Sequence, residues 1–598
     1  MNFNQWTPEY FLANEASCLN ALKEYWKNKN DWNKIPMLNY AKLDQLKDNQ
    51  LVRFRGMIQD MQDPECYVKR YEVSNEREGS KRMVEGKFRD IIVLKNGEKV
   101  EQNSQVYGDR RPVFVVSIPG YNSWALDYEK KLYGNCNNSV EVTVNGQQSH
   151  NKRSLDEDEE MDVDERSKKP NLPVKHHKQN GESSSSTEAA ENTVLSSEYH
   201  LNSPIPERPS KACLVKMYGK NAVDCVLNTI VDVIGFLSID PALDGSTNDQ
   251  FEDIDDATVQ ATNPPPSLIP RLHAIYIENL AHTNPLLYID VMALPLPSNL
   301  ATEIFTNIMN LLTQCLFGDK IAAEYLFCHL VSTVYIRTGL QSLGQFSLNL
   351  SNIPAEVLPE YTNLFYEITE LLLPASHYYP MTLNNMNTHQ FVPKKDYETN
   401  KLTSGLLQLA PHTHLVLDET RLHTGKLESN GLHAVASIAY LINQQKLIYD
   451  FQFYKLEFDT NVPILILSEG KSMLPNCCYC PIIPDTDSIR LIGETIKAGK
   501  HFIQPKLNEI RKFLTQMRMQ EFNMSATDPV MIQNDFVKMR QDETVTADDL
   551  HQLLVLSRLL GLIRGKSALD MESWNHAKEL EIERRNRVEM FVKRRNEM

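Results

Sequence analysis

Apolar and polar positions repeat with two different periods along the chain, and the change of period divides it. Residues 7–28 place Phe11, Leu12, Leu19, Leu22 and Trp26 at roughly helical spacing behind a Thr7-Pro8 start signal, which predicts an amphipathic helix. The run LVRFRGMI (51–58) then alternates apolar with polar or basic residues, as a half-buried strand does. Strand-like runs follow at 90–94 and 113–118, closed by a Pro119-Gly120 turn, and again at 211–218 and 224–240. From 268 to 500, helical patterns (300–317 and 320–337) alternate with apolar runs at 346–350, 415–417 and 462–467, as in a three-layer α/β domain. Beyond Thr546-Ala-Asp-Asp549, an N-cap with acids in the first turn, the pattern is all-helical. Leu550, Leu553, Leu554, Leu560 and Ile563 lie along one face, and a second helix from Leu569-Asp570 carries Trp574, Ala577 and Leu580.

Gly56 inside an alternating run predicts a bulge or sharp coil. Short strands around a Gly-kinked one predict a small barrel of the oligonucleotide/oligosaccharide-binding (OB) type in residues 1–130. The β-rich unit at 211–267 is either a second small barrel or the completion of the first. Residues 131–210 lose periodicity and read as a disordered linker containing an acidic run and the serines 183–186.

At 598 residues the chain is long enough for three or four domains. No apolar run reaches the ~18 residues a membrane span needs, and the N-terminus lacks the basic start and apolar core of a secretion signal. Ten scattered cysteines suit a reducing compartment. The net charge of −16 argues against an unaided duplex-DNA binder, although residues 155–165 alone hold eight carboxylates, leaving −8 elsewhere. Lys152-Arg153 and Lys168-Lys169 flank those acids. Paired basic clusters read as a nuclear localisation signal or as ordinary charge patterning in a solvated linker.

The chemistry centres on LVLDET (415–420), a wholly apolar run ending in Asp418-Glu419. A buried strand of this form places its acids at the sheet edge where α/β proteins bind ligands, and in P-loop ATPases such an Asp positions Mg²⁺. Apolar residues followed by Asp-Glu also mark an ordinary strand entering a loop, so a phosphate loop must decide. G-x-x-x-x-G-K-[ST] is absent. The segment from Gly561 to Ser567 is one residue short, Gly470-Lys471-Ser472 has Leu465 where the first glycine belongs, and the segment from Gly318 has Ala323, Glu324 and Tyr325 at the diagnostic positions. A glutamate where phosphate should lie is repulsive. Cys477, Cys478 and Cys480 form an isolated cluster without the second pair zinc requires. His412, His414, His423 and His433 surround the acids, but 412 and 414 lie about 10 Å away, at ~3.3 Å per strand residue. No metal, cofactor or catalytic group is expected. Arg53, Arg55, Lys69 and Arg70 with Phe54, Tyr67 and Tyr71 could form a single-strand nucleic-acid platform. The alternative, which we favour, is an ordinary barrel with a basic outer face and core aromatics.

Several long stretches resemble the MCM-binding protein family, partners of the minichromosome maintenance replicative helicase: 53–67, 213–217 with 235–241, 318–335, 396–408, 415–420 and 546–554. The resemblance covers nearly the whole chain outside the linkers. The family also looks like a diverged relative of the helicase subunits, with a barrel, an AAA+-like α/β domain (268–500) lacking a P-loop, and a helical lid-like region (501–598). The resemblance implies a nuclear, non-catalytic binder of helicase subunits. It would act as their chaperone, help release the ring from chromatin late in replication, and support sister-chromatid cohesion and cell division. Gly318, Ala323, Glu324, Tyr325, Asp418 and Glu419 would then be a degenerate nucleotide site.

Overall fold

A computed structural model describes residues 3–75, 80–90, 92, 94, 98–101, 104–133, 201–219, 225–238, 269–287, 298–339, 342–524, 529–542 and 546–597. The predicted N-terminal helix is broken at Asn14 into α1 (Pro8–Ala13), capped by the Thr7 side chain, and α2 (Glu15–Lys27). The barrel strands are β1 (Leu51–Met61), β2 (Glu65–Asn75), β3 (Ser80–Glu85), β4 (Glu98–Val100), β5 (Val106–Val116), β6 (Ala212–Tyr218), β7 (Ile230–Ser238) and β8 (Arg271–Asn279). Helix α3 (Ser123–Tyr133) follows β5.

Pairings β1–β5, β5–β6, β6–β8, β8–β7 and β7–β1 close a five-stranded ring in which only β6–β8 is parallel. The β-rich unit after residue 211 therefore completes the first barrel, and its closing strand β8 lies beyond residue 267. Strands β2, β3 and β4 extend outward from β5. Two glycines let strands approach: a Cβ on Gly56 would meet the Val116 carbonyl oxygen at 2.2 Å, and one on Gly235 the His273 carbonyl oxygen at 2.2 Å. The register shifts beside Gly235, whereas in β1 it shifts between Ile58 and Asp60 rather than at Gly56.

The second half holds α4 (Ser298–Cys315), α5 (Lys320–Val331), β9 (Ile336–Arg337), β10 (Ser342–Leu343), β11 (Leu348–Ser351), α6 (Leu358–Leu372), β12 (Ser376–Pro380) and α7 (Leu383–Thr388). It continues through β13 (Lys394–Asp396), β14 (Lys401–Thr403), β15 (His414–Asp418), α8 (Ser429–Gln444), β16 (Lys446–Asp450), β17 (Lys455–Asp459), β18 (Ile464–Leu467) and β19 (Cys478–Pro481). Helices α9 (Thr486–Arg490), α10 (Ile492–Ile503), α11 (Leu507–Met519), α12 (Pro529–Asp542), α13 (Ala547–Ile563) and α14 (Met571–Glu597) complete it.

The central sheet is all parallel in the order β12-β15-β18-β11-β19, so the first strand in sequence lies between the fourth and fifth. Side chains alternate across it. Val416 and Leu465 face the cluster built by α4, α5, α6, α10, α11 and α13, while Leu415, Leu417, Ile464 and Ile466 face α8 and the barrel. Burial on both faces explains the unbroken apolar run at 415–417. The barrel-side cluster also contains Val52, Phe54, Val113 and Val215, so barrel and α/β layer share a core. Tyr121 bridges to Ala375, and Arg208 donates to the Gly120 and Tyr121 carbonyls and to Tyr366, pinning the joint.

Candidate functional site

Asp418 ends β15 beside Pro380 of β12 and Leu467 of β18, at the C-terminal edge of the parallel sheet. The chain fills this position itself. Tyr378 donates its phenol to Asp418 Oδ2 at 2.5 Å, and Thr420 donates both N–H (3.0 Å) and hydroxyl (2.5 Å) to Oδ1. Arg421 Nε approaches Oδ2 at 3.4 Å and its Nη2 donates to Thr362. Burial and then Asp418 push the Tyr378 phenol up to about 12, so it stays a donor at neutral pH. Glu419 accepts from Ser472 Oγ at 2.5 Å; burial raises its pKa despite that bond and the Met473 and Leu474 amides. Ser472 N–H donates to Asn349 Oδ1, and Asn349 Nδ2 donates to Ser468 Oγ at 2.6 Å. The two carboxylates thus end in a hydroxyl–amide network in which Arg421, 3.4 Å from Asp418, is the cation among the contacts described.

The segment facing this edge after the first strand is Ser351-Asn352-Ile353-Pro354-Ala355-Glu356-Val357, leading into α6. It has no glycine and no lysine, and Pro354 contributes no N–H. Asn352, at φ +62°, donates to the Ile482 carbonyl at 2.7 Å and holds the loop on β19. A phosphate needs several free amides and a lysine, so this loop cannot cradle one.

The residues expected to stand opposite Asp418 lie elsewhere, which corrects their register. Gly318, at φ +86°, ends α4 with its N–H on the Thr313 carbonyl, and Asp319 caps α5, upstream of the first sheet strand. Ala323 is buried in α5. Glu324 accepts from Arg564 Nη2 and pairs with His576 Nε2, both at 2.8 Å. Burial opposes its charge, but His576 and Arg564 outweigh burial and hold the carboxyl below its usual range. Tyr325 donates to Glu581 at 3.3 Å. These side chains fasten α13 and α14 to the α/β layer and do not share a site with Asp418. Arg587 on Asp319 and Arg584 and Arg585 on Glu581 extend the clamp.

The barrel arginines are corrected too. Arg53 is fully buried and bidentate on Asp232 (2.6 Å twice), with its guanidinium 4.7 Å from the rings of Trp26 and Trp32. Arg55 bridges Asp232 (2.8 Å) and Glu129 (2.5 Å). Phe54 and Tyr71 are core residues. Arg70 pairs with Glu85 across β2–β3. On β5 and β6, Arg110 and Lys216 both reach Glu65 (2.5 Å each), and Arg110 reaches Asp90 at 2.8 Å. Burial works against the Glu65 carboxylate, yet Lys216 and Arg110 hold it low. Arg53 and Arg55 are thus spent inside the fold, whereas Arg70 and Lys69 are exposed on β2, so the four expected cations do not share one face.

Cys478 and Cys480 are buried on β19, and among the described residues no group of three or more His, Cys, Asp or Glu is placed to hold a metal. His412 and His414 lie at the start of β15, with His329 packed against His414 and Arg518 donating to His414 Nε2 at 2.9 Å. Burial drives these imidazoles toward the neutral form, His329 down to about 4 and His412 to about 3. Lys152, Arg153, Lys168 and Lys169 lie outside the described residues. Sequence reasoning missed the β16–β17 hairpin tip; three aromatics within Phe451-Gln452-Phe453-Tyr454, between two strand patterns, were the signal available.

The fold and site together define a mixed α/β protein with a C-terminal helical region, whose sheet edge and barrel face are both closed by its own side chains. No helix among the described residues is long and apolar enough to cross a membrane. The family described as mini-chromosome maintenance replisome factor matches residues 22–588, and this chain belongs to that family. Curated relatives named mini-chromosome maintenance complex-binding protein include one from Drosophila melanogaster, 48% identical and covering 98% of this chain and 97% of the relative. Those from Homo sapiens and Gallus gallus are 36% and 35% identical, each covering 96% of this chain and 94% of the relative.

Proposed function

We propose that this chain is a non-catalytic partner of the minichromosome maintenance helicase. It docks onto helicase subunits in the nucleus, chaperones them, and helps to release the complex from chromatin late in replication, thereby supporting cohesion and division. The relatives' names support the partner. The observation that carries the mechanism is the parallel sheet edge where Asp418 is capped by Tyr378 and Thr420 beside a loop without glycine or lysine. The strand order, with the first strand between the fourth and fifth, supports an AAA+-like reading of the α/β domain. The ring β1-β5-β6-β8-β7 with one parallel pair supports an OB-like barrel. A body with a subunit's layout and no nucleotide chemistry can occupy a subunit's place without driving turnover.

Gel filtration of the purified chain with individual helicase subunits tests this: co-elution with at least one is expected, and migration apart from all of them removes the reading. Labelled ATP at micromolar concentration should stay unbound. A single-strand nucleic-acid role for the barrel requires several free cations on one face, and of the four expected there Arg53 and Arg55 are paired internally and Arg70 pairs with Glu85, which leaves exposed Lys69. For localisation, replacing Lys152, Arg153, Lys168 and Lys169 by alanine in a fluorescent fusion should shift the protein to the cytoplasm.

A further inference from the structure

With the ligand positions closed, a feature the fold leaves exposed among the described residues is the tip of the β16–β17 hairpin. Strand β17 pairs with β16 in antiparallel register, Leu456 opposite Tyr449 and Phe458 opposite Leu447. On one face Phe458, partly buried at the core's edge, packs edge-on against core Tyr449 at 4.7 Å. The same face continues outward through Leu456 to Tyr454, so an apolar row begun in the core runs on into solvent. At the turn Phe453 is 84% exposed, Tyr454 54%, Tyr397 46% and Leu456 43%. Single exposed hydrophobics need no explanation, but four large ones in one place mark an interaction site.

The tip is held rigidly. Phe451 N–H donates to the Tyr454 carbonyl (3.0 Å), Gln452 N–H to Asp450 Oδ1 (2.8 Å), Gln452 Nε2 to the Lys395 carbonyl (3.2 Å) and Tyr397 Oη to the Phe451 carbonyl (2.9 Å). The Phe451 and Tyr454 rings stack at 5.0 Å and 9°, and Phe453 lies 5.6 Å from Tyr397. Aromatic anchors ordered before contact bind at small entropic cost, and such residues dominate interface energetics. Beside the tip runs a 430 Å³ groove whose lining includes Lys394, Lys455, His433 and Asn430. Among the described residues neither lysine makes an ion pair.

We infer that this hairpin tip, Phe453 and Tyr454 flanked by Tyr397 and Leu456, is the anchor by which the chain docks on a partner protein presenting an apolar pocket bordered by carboxylates. Free Lys394 and Lys455 supply the complementary charge. A single-stranded nucleic acid fits less well. Two of the rings use their faces on each other, and Asp396, Asp450 and Glu457 interrupt the lysines that a phosphate backbone would follow. The inference rests on the helicase reading for the identity of the partner and adds where it is held.

The full-length chain carrying F453A/Y454A is compared with wild type for binding to the purified helicase complex by surface plasmon resonance. Because both side chains are exposed, the melting temperature should be unchanged and affinity should fall about thirtyfold, the size expected of an aromatic hot spot. Unchanged affinity with wild-type binding intact overturns the anchor and spares the helicase reading, whereas no wild-type binding overturns that reading. Should the double variant fail to fold, K394E/K455E decides: several-fold weakening is expected, and equal affinity overturns the inference. Binding of a fluorescein-labelled oligo-dT by wild type that the double variant loses would reassign the tip to nucleic acid.

Discussion

The barrel and the parallel sheet edge close the same kind of position by opposite means. In the barrel, buried cations on the strands meet carboxylates: Arg53 and Arg55 on buried Asp232, Arg110 and Lys216 on half-buried Glu65. At the sheet edge, carboxylates meet mainly neutral donors, Tyr378 and Thr420 on Asp418 and Ser472 on Glu419. A buried ion pair is fragile toward loss of one partner, because the survivor is left charged in a dry site. A carboxylate held by hydroxyls loses one hydrogen bond at a time. The barrel is thus the brittle half and the edge the tolerant one.

The sharpest test of that contrast is Asp232→Ala, which strands buried Arg53 and leaves Arg55 with Glu129 alone, and should cost about 3–5 kcal/mol in urea unfolding. A loss below about 1 kcal/mol would show that the barrel network relaxes freely. Acidification comes next, at the other end of β15. His329 and His412 have folded pKa values depressed below the ordinary ~6.5, so the native state favours their neutral form. Their stabilisation is present above the unfolded value and is lost as the pH falls below it. Lowering the pH from 7.5 to 5.5 should cost roughly 1.4 kcal/mol for each of them, and stability that stays flat over this range would contradict their burial as neutral groups. Glu324→Gln keeps the shape but removes the charge facing Arg564 and His576, and should cost about 1–3 kcal/mol without creating ATP affinity. Acquired ATP binding would mean that this glutamate, and not the loop after β11, is what excludes nucleotide. The smallest effect is expected at the edge: Tyr378→Phe leaves Asp418 with Thr420 and Arg421 and should cost about 1 kcal/mol in a thermal melt. A collapse there would make the edge as brittle as the barrel.

Legibility followed the range of the interactions. The apolar run ending at Asp418 announced a strand buried on both faces, and the capping box from Thr546 to Asp549 announced α13. Gly318 misled, because glycine before a long helix suits both a phosphate loop and the turn that links α4 to α5. Only the position of β11, after those helices, distinguishes the two. Alternating basic residues in β1 read as an outward face, and they would have been one had α2, the turn that follows it and α3 not covered it with Trp26, Trp32 and Tyr133.

What the sequence determined by itself was local: strand and helix periods, caps, the missing glycine–lysine signature and the kinship of the chain. What the tertiary structure decided was pairing across long separations. Asp232 finds Arg53, Arg564 finds Glu324, and β8 closes a ring begun at β1. The physical reason is that a charge or a hydroxyl carries no mark of its partner in the local pattern. Whether it serves a ligand or the fold is set by which distant group the packed core brings within hydrogen-bond reach.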